Sequence, residues 1–560
     1  MSVAGTRRLV PAPAGESMAE RQNNEEPLTE AQRDRRRFLE RTAIAAGVAM
    51  TAGALPAAAQ VTTVAAVNED SLPMELRSAT AALAVLRARE IGSLEMLDLL
   101  LARIERLNPR LNAVIALDVD GARSAARAAD NLPARRRGAL HGLPMTIKDG
   151  FDVVGMPATA GMPELADYRP AEDAEAVAQL RAAGAILFGK TNVPTGVADH
   201  QSYNPIYGVS SNPWNVERTP GGSSGGAAAA VAAGFTALEL GSDVGGSIRC
   251  PAHFCGVYGH KPSFGVIPMG GTTPPPPPGV VPPDVPLSVA GPLARSAADL
   301  ELALDVLTAP PLLERTAWSV GIPPSRHERL SDFRVALWAD KRGYSVDSQC
   351  LEAMHAYAED LRALGVTVDE TARPDIDSAA SDDVYVAMLF GIFLAGLPEE
   401  VLRQFEAAAE GHGERSYPAR IARAIRLTHA EFMGLESRQQ GLRHAWRRFF
   451  ERYDVMLCPA MPTVAFPHDH SGTGFGHIAQ YDRRLIVDGE PVPYLNGLQW
   501  PGLATIAHLP AAAVPTGRLI DGLPMGVQVI GPYLEDRTVL RFAQLVEREL
   551  GGFAPPPDVI

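Results

Sequence analysis

The stretch "DAEAVAQLRAAGAILFGKTN", Asp173 to Asn192, changes its period partway along. Up to Ala183 the apolar residues recur at helical spacing. Gly184 then stops the helix, and "AILFGK" is a short apolar run of the kind found in buried strands. The same alternation continues outward in both directions. Upstream, "LPMTIKDGFDVVG" reads as a strand entering a loop. "AVIALD" (Ala113 to Asp118) reads as a strand followed by an Ala/Arg-rich helix to about Asp130, and "LEMLDLLLARIERLNP" reads as a helix that stops at Pro109. Downstream, "GGAAAAVAAGF" is a helix after a glycine turn, and "TALELGSD" is a strand running into a glycine loop. "GPLARSAADLELALDVL" has a capped helix start, and "LPMGVQVIGPYLEDRTVLRFAQLVEREL" is a strand followed by a helix. Helices alternating with short apolar strands predict an α/β layered sheet. The segment from Leu312 to Ala460 is more helical, includes the amphipathic stretch Ala430 to Asp454, and is expected to pack over the sheet and shape a pocket. "TTPPPPPGVVPPDVP" (Thr272 to Pro286) can be neither helix nor central strand and reads as an extended surface spacer.

The 560 residues are 46% hydrophobic and 21% charged, which is enough to bury a sizeable core. The net charge of −14 argues against a nucleic-acid partner, because phosphate binding needs clustered Lys and Arg. The first 59 residues form a separate segment. Asp34, three arginines (Arg35, Arg36, Arg37), Phe38 and Leu39 precede an uncharged Ala/Gly-rich run from Thr42 to Ala59, which ends in an A-x-A-like site at Ala57–Ala59. This is similar to a twin-arginine export signal, although Asp34 and Glu40 depart from its usual residues. We expect a periplasmic or secreted protein with no stable membrane insertion after signal removal; Gly47, Gly53 and Pro56 would make a poor spanning helix. The four cysteines, Cys250, Cys255, Cys350 and Cys458, are too few for a disulfide scaffold and have no C-x-x-C spacing. They are expected to be buried free thiols.

Two glycine-framed stretches carry serines: "TPGGSSGGAAAA" (Thr219 to Ala230) and "GSDVGGSIR" (Gly241 to Arg249). Neither matches the G-x-S-x-G nucleophile elbow, and neither contains a histidine to act as base. The candidate base is Lys148, at the end of the apolar "LPMTIK". Burial there would lower its pKa and leave a neutral amine able to accept a proton. Read from the residues alone, Lys148 could equally be a surface lysine or the ion-pair partner of Asp149. His200, His253 and His260 flank these segments and read as structural. With no ligand spacing such as H-E-x-x-H and no G-x-x-x-x-G-K-[ST], neither a metal nor a cofactor is expected.

Lys148 in "GLPMTIKD", Ser223 in "GGSSGG" and Ser247 in "GSDVGGSIR" resemble the amidase signature family, as do "GKTNVP", "SYNPIYG", "RTPGGSSGG", "CPAHFCGVYGHKP", "GPLARS" and "LPMGVQVIGP". The resemblance runs from about Leu76 to the C-terminus and is densest from His141 to Ser296. It implies one large α/β domain over residues 60–560, with a central twisted mixed β-sheet covered by helices on both faces. Within it, the catalytic core lies at about 141–296 and a helical, substrate-shaping insert at about 312–460.

By the same resemblance, Ser247 is the nucleophile, Ser223 the bridging serine on a cis peptide, and Lys148 the base. The N–H groups of Val244, Gly245, Gly246 and Ser247 would form the oxyanion hole. Ser224, Asp243 and Arg249 would support the loop, the last two as an ion pair. Gly196 and Val197, after "TNVP", would approach the substrate. The implied activity is hydrolysis of the C–N bond of a carboxamide (an aryl or alkyl amide, or a carbamate) through an acyl-enzyme. The alternatives are an ester or carbamate hydrolase with the same triad, a glutamine-dependent transamidase subunit, and an inactive binding protein. The expected partner is a small-molecule amide, and a homodimer is common in the family.

Overall fold

A computed structural model of the chain describes residues 61–64, 67–272, 285–394, 396–472, 478 and 480–559. The export signal expected over residues 1–59 lies outside these, as does most of the proline-rich spacer. Among the described residues no helix is long and apolar enough to cross a membrane.

Twelve strands form one sheet. In chain order they are β1 (Val61–Thr63), β2 (Val114–Leu117), β3 (Pro144–Lys148), β4 (Ile186–Thr191), β5 (Leu238–Asp243), β6 (Tyr258–Lys261), β7 (Val289–Ala294), β8 (Arg334–Leu337), β9 (Thr367–Asp369), β10 (Val455–Pro459), β11 (Ala511–Ile520) and β12 (Leu523–Ile530). Their spatial order is β9-β8-β10-β12-β11-β6-β7-β5-β3-β4-β2, with β1 pairing separately onto β11. The sheet is mixed. β3 lies parallel to both β4 and β5, while β7 runs antiparallel to β5 and to β6. The molecule is therefore a single large α/β domain whose mixed sheet is flanked by helices. All five residues of β3 and all six of β4 are buried. This explains why both read as unbroken apolar runs ending in a lysine: a parallel strand covered on both faces has no solvent side on which to alternate.

The helix Gly225–Ala232 is built almost wholly of Gly and Ala and is buried along its length. The small residues are needed for close approach. A Cβ at Gly226 would stand 2.3 Å from the backbone nitrogen of Asn192, just past β4. Ser296 caps the helix Ala297–Leu307 by accepting from the Asp299 N–H at 3.1 Å, as the sequence predicts.

Two expectations are corrected. The helix expected to stop at Pro109 continues to Leu111 and closes on Asn112 at φ 46°. A proline in the last turn forfeits only its own hydrogen bond, so the helix can finish through it. The segment 312–460, read as a helical insert, also contributes β8, β9 and β10 to the main sheet. These strands are only three to five residues long, too short to show a period of their own. The segment's helices are Ser348–Ala363 and, after β9, those between Ser378 and Phe449. The second group builds, together with Leu498 from further along the chain, a second apolar cluster around Tyr385, Phe390, Phe405 and Ile421, against which Val244 packs.

Candidate active site

Lys148 ends β3 with its side chain fully buried. Its Nζ is 2.8 Å from Ser223 Oγ, 3.0 Å from Ser242 Oγ and 3.4 Å from Ser242 O. Burial pulls the amine down to about 7, and the nearby carboxylates of Asp243 and Glu239 only partly oppose this. Asp149, the alternative ion-pair partner, is engaged elsewhere: it pairs with Lys190 at 3.3 Å, both side chains being buried. Glu239, on β5, accepts from Thr191 Oγ1 at 3.0 Å and from Thr146 Oγ1. Burial pushes the Glu239 carboxyl up to about 8. Lys148 thus sits among hydroxyls, with Asp243 and Glu239 in its surroundings.

Ser223 follows the cis peptide Gly222–Ser223. Its loop is stitched by Ser202, whose Oγ donates to Gly221 O at 3.1 Å and accepts from the Gly225 N–H at 3.0 Å. The second serine stretch is tied to the first through the Ser224 N–H, which donates to Ser247 O at 3.1 Å. Ser224 Oγ reaches Ser242 O at 3.4 Å. Exposure rises from 0% at Lys148 to 1% at Ser223 and 8% at Ser247, so a molecule from solvent meets Ser247 first.

The loop after β5 is clamped by Asp243 and Arg249. Arg249 donates through Nε to Asp243 Oδ2 at 3.0 Å and through a terminal nitrogen to Oδ1 at 2.7 Å, with both side chains fully buried. Burial alone would raise the Asp243 carboxyl, but the guanidinium and the Ile248 N–H outweigh it and hold the group at about 2. Breaking a buried pair of this kind costs about 3–5 kcal/mol, since the remaining charge has no partner. Arg249→Met is therefore expected to lower the unfolding free energy by about that amount in a urea titration. A loss under about 1 kcal/mol would show that the pair is dispensable.

The four N–H groups expected to face a developing oxyanion are not equivalent. Gly246 turns at φ 96°, and its N–H already donates to Asp243 Oδ1 at 3.1 Å. The N–H groups of Val244, Gly245 and Ser247 have no acceptor among the described residues. The expected set of four is thus corrected to three free donors, because the Asp243 carboxylate, needed for the clamp, also claims the Gly246 amide.

Gly196 and Val197 both adopt positive φ, 65° and 60°. A Cβ added to Gly196 would meet no atom within 4 Å, so the space there is open. A Cβ added to Gly150 would stand 3.6 Å from Val197 Cγ2 and 3.9 Å from Lys148 Cε, so Val197 borders the lysine's surroundings.

Three neighbours of the site are not evident as such from the sequence. Ser242, the second hydroxyl on Lys148, lies inside the quoted glycine loop, where its place before Asp243 is the available signal. His200 reads only as structural; its Nε2 lies 2.9 Å from Gly245 O. Tyr385, whose hydroxyl donates to Val244 O at 2.7 Å, comes from a helix 138 positions downstream of Ser247 and leaves no local signal. His253 and His260 are held by Gly526 and Thr463 and by Asp536, respectively. The four cysteines are free and buried.

A buried amine drawn down to about 7 and at hydrogen-bond distance from one serine, with a second, more exposed serine on the adjoining loop and free backbone donors, is equipped for acyl transfer. Known proteins with related chains agree with that class. The amidase family profile matches residues 95–540, and the chain belongs to the amidase signature family. A glutamyl-tRNA(Gln) amidotransferase subunit of Anaeromyxobacter sp. (strain K) is 33% identical over 516 residues, covering 86% of this chain and 97% of that protein. Indoleacetamide hydrolase of Bradyrhizobium diazoefficiens is 33% identical over 489 residues, covering 85% and 87%. Among solved structures, a bacterial aryl acylamidase of the amidase signature enzymes superposes with a TM-score of 0.71 at 25% identity, over 87% of this chain and 99% of that one.

Proposed function

We propose that this protein is an exported amidase that hydrolyses the C–N bond of a small carboxamide with an apolar or aromatic acyl part. The observation that carries the reading is the buried Lys148 amine, 2.8 Å from Ser223 Oγ. Neutral Lys148 takes the Ser223 proton as Ser223 takes that of Ser247. The Ser247 Oγ–C bond then forms, and the carbonyl oxygen gains a negative charge. Ser223 returns a proton to the leaving nitrogen as the C–N bond breaks, which leaves an acyl-enzyme and a free amine. Water then enters, loses its proton by the same route, and releases the carboxylic acid. The free N–H groups of the 244–247 loop stabilise the anionic oxygen at each stage. Support for an apolar acyl part comes from the open space at Gly196 and from the packing of Val244 on the cluster around Leu498.

The similarity to amidotransferase subunits favours a second reading, in which glutamine is the amide hydrolysed. One panel separates the two: an aryl amide, an aliphatic amide, an aryl carbamate, a simple ester and glutamine, with amine or ammonia release measured for the chain starting at Gln60. Amine release from the aryl or aliphatic amide at a kcat/KM at least tenfold above that for glutamine supports the amidase. Turnover of glutamine alone would replace it with the second reading. Export itself is tested by fractionation, with the chain expected outside the cytoplasm and shortened by its first 59 residues.

A further inference from the structure

The loop that would stabilise the anionic oxygen contains two adjacent glycines, which are free to turn their peptide planes. Side chains from elsewhere in the fold hold those planes. Gly245 O meets His200 Nε2 at 2.9 Å, so that nitrogen must be the protonated one, and the amide at the far end of the same peptide, Gly246 N–H, donates to Asp243. The Gly245–Gly246 peptide is thus fixed at both ends and has nothing left to offer a ligand. The preceding peptide differs. Its carbonyl, Val244 O, accepts from Tyr385 Oη at 2.7 Å, while its amide, Gly245 N–H, has no acceptor among the described residues. A trans peptide is planar, with its C=O and N–H pointing in opposite directions, so fixing one fixes the other.

We infer that Tyr385 is a positioning residue for the reaction proposed above: by holding Val244 O, it aims the Gly245 N–H at the oxygen that becomes negative when Ser247 attacks. The inference rests on that reading of Ser247. Tyr385 is suited to the task, being 1% exposed and seated in the helix Ser378–Leu394 of the apolar cluster, so its phenol cannot follow the loop if the loop turns. Its donation also polarises the peptide, which strengthens the opposite N–H as a donor. A role thus passes from the helical segment to the backbone that meets the charge.

The test needs no knowledge of the natural substrate. Phenylmethanesulfonyl fluoride reacts with an activated serine: the Oγ–S bond forms, the S–F bond breaks, fluoride leaves, and the serine proton passes through Ser223 to Lys148. A sulfonyl oxygen gains charge on the way and calls on the same donors. The second-order labelling rate would be measured against pH for the wild type, Tyr385→Phe and Tyr481→Phe, with the modified residue located by peptide mass. Tyr481 belongs to the same cluster, but its buried hydroxyl has no partner among the described residues, so its loss controls for packing.

We expect labelling at Ser247. Tyr385→Phe should be slower by about tenfold or more, a fraction of what losing a whole oxyanion donor costs. Its half-maximal pH should be unchanged, and Tyr481→Phe should behave as the wild type. Equal rates for Tyr385→Phe and the wild type would overturn the inference and leave the nucleophile standing. So would a slower rate with a displaced half-maximal pH, because that would mean general damage reaching Lys148. No label on Ser247 of the wild type would sink the nucleophile reading and the inference together.

Discussion

Ser247→Ala is expected to lower kcat/KM for the best amide of the panel by about 10⁴-fold or more, with the protein still folded. Units of nucleophile and base fail together: removing either member costs about as much as removing all, in the range of about 10⁴–10⁶. The loss should fall on kcat, because alanine keeps the loop. The Ser224 N–H donates to the Ser247 backbone carbonyl, and the Gly246 and Ile248 amides still bond to Asp243. The check is single-turnover mass spectrometry beside the steady-state assay. The wild type should show a covalent adduct of acyl mass on the peptide carrying Ser247, and the variant none. Turnover by Ser247→Ala within tenfold of the wild type would remove the assigned nucleophile.

Lys148→Met is the second large effect, with an expected loss of about 10⁴-fold or more, because base and nucleophile act as one unit. Methionine matches the length of the buried stem and removes the amine, so the site stays filled. The pH profile gives the sharper readout. Only the neutral amine accepts a proton, and burial brings Lys148 to about 7. Wild-type kcat/KM should therefore rise with pH through an inflection near that value and level off above it; below it the lysine is protonated and inactive. Residual activity of Lys148→Met should lack this limb. If the variant keeps the limb, another group is the base. The double variant Lys148→Met/Ser247→Ala should be no slower than Ser247→Ala, because neither residue works without the other.

Much of this site is readable along the chain. Lys148, Ser223 and Ser247 stand in short motifs whose glycines and serines can be recognised without a fold, and β3, which carries Lys148, and β5, which leads to Ser247, are apolar enough to be placed. The Asp243–Arg249 pair is legible for the same reason, being six residues apart around a glycine turn. Local signals suffice wherever partners lie within a turn of one another or where a residue type has few other uses.

The remainder depends on partners remote in sequence. A lysine looks the same in a motif whether it is solvated or dry; the lowered pKa of Lys148 comes from its complete burial, which the motif does not show. Asp149 stands next to Lys148 in the chain, yet from the turn just past β3 it pairs with Lys190 of β4. The Gly246 amide is withdrawn from the expected donor set by the same Asp243 that holds Arg249. Tyr385 reaches Val244 from a helix with no sequence mark, since a hydroxyl so distant along the chain becomes a neighbour only when the helical segment folds back over the sheet. Residue types and short-range turns are written in the chain, whereas desolvation and the direction of an N–H are properties of packing, set by whatever the fold brings alongside.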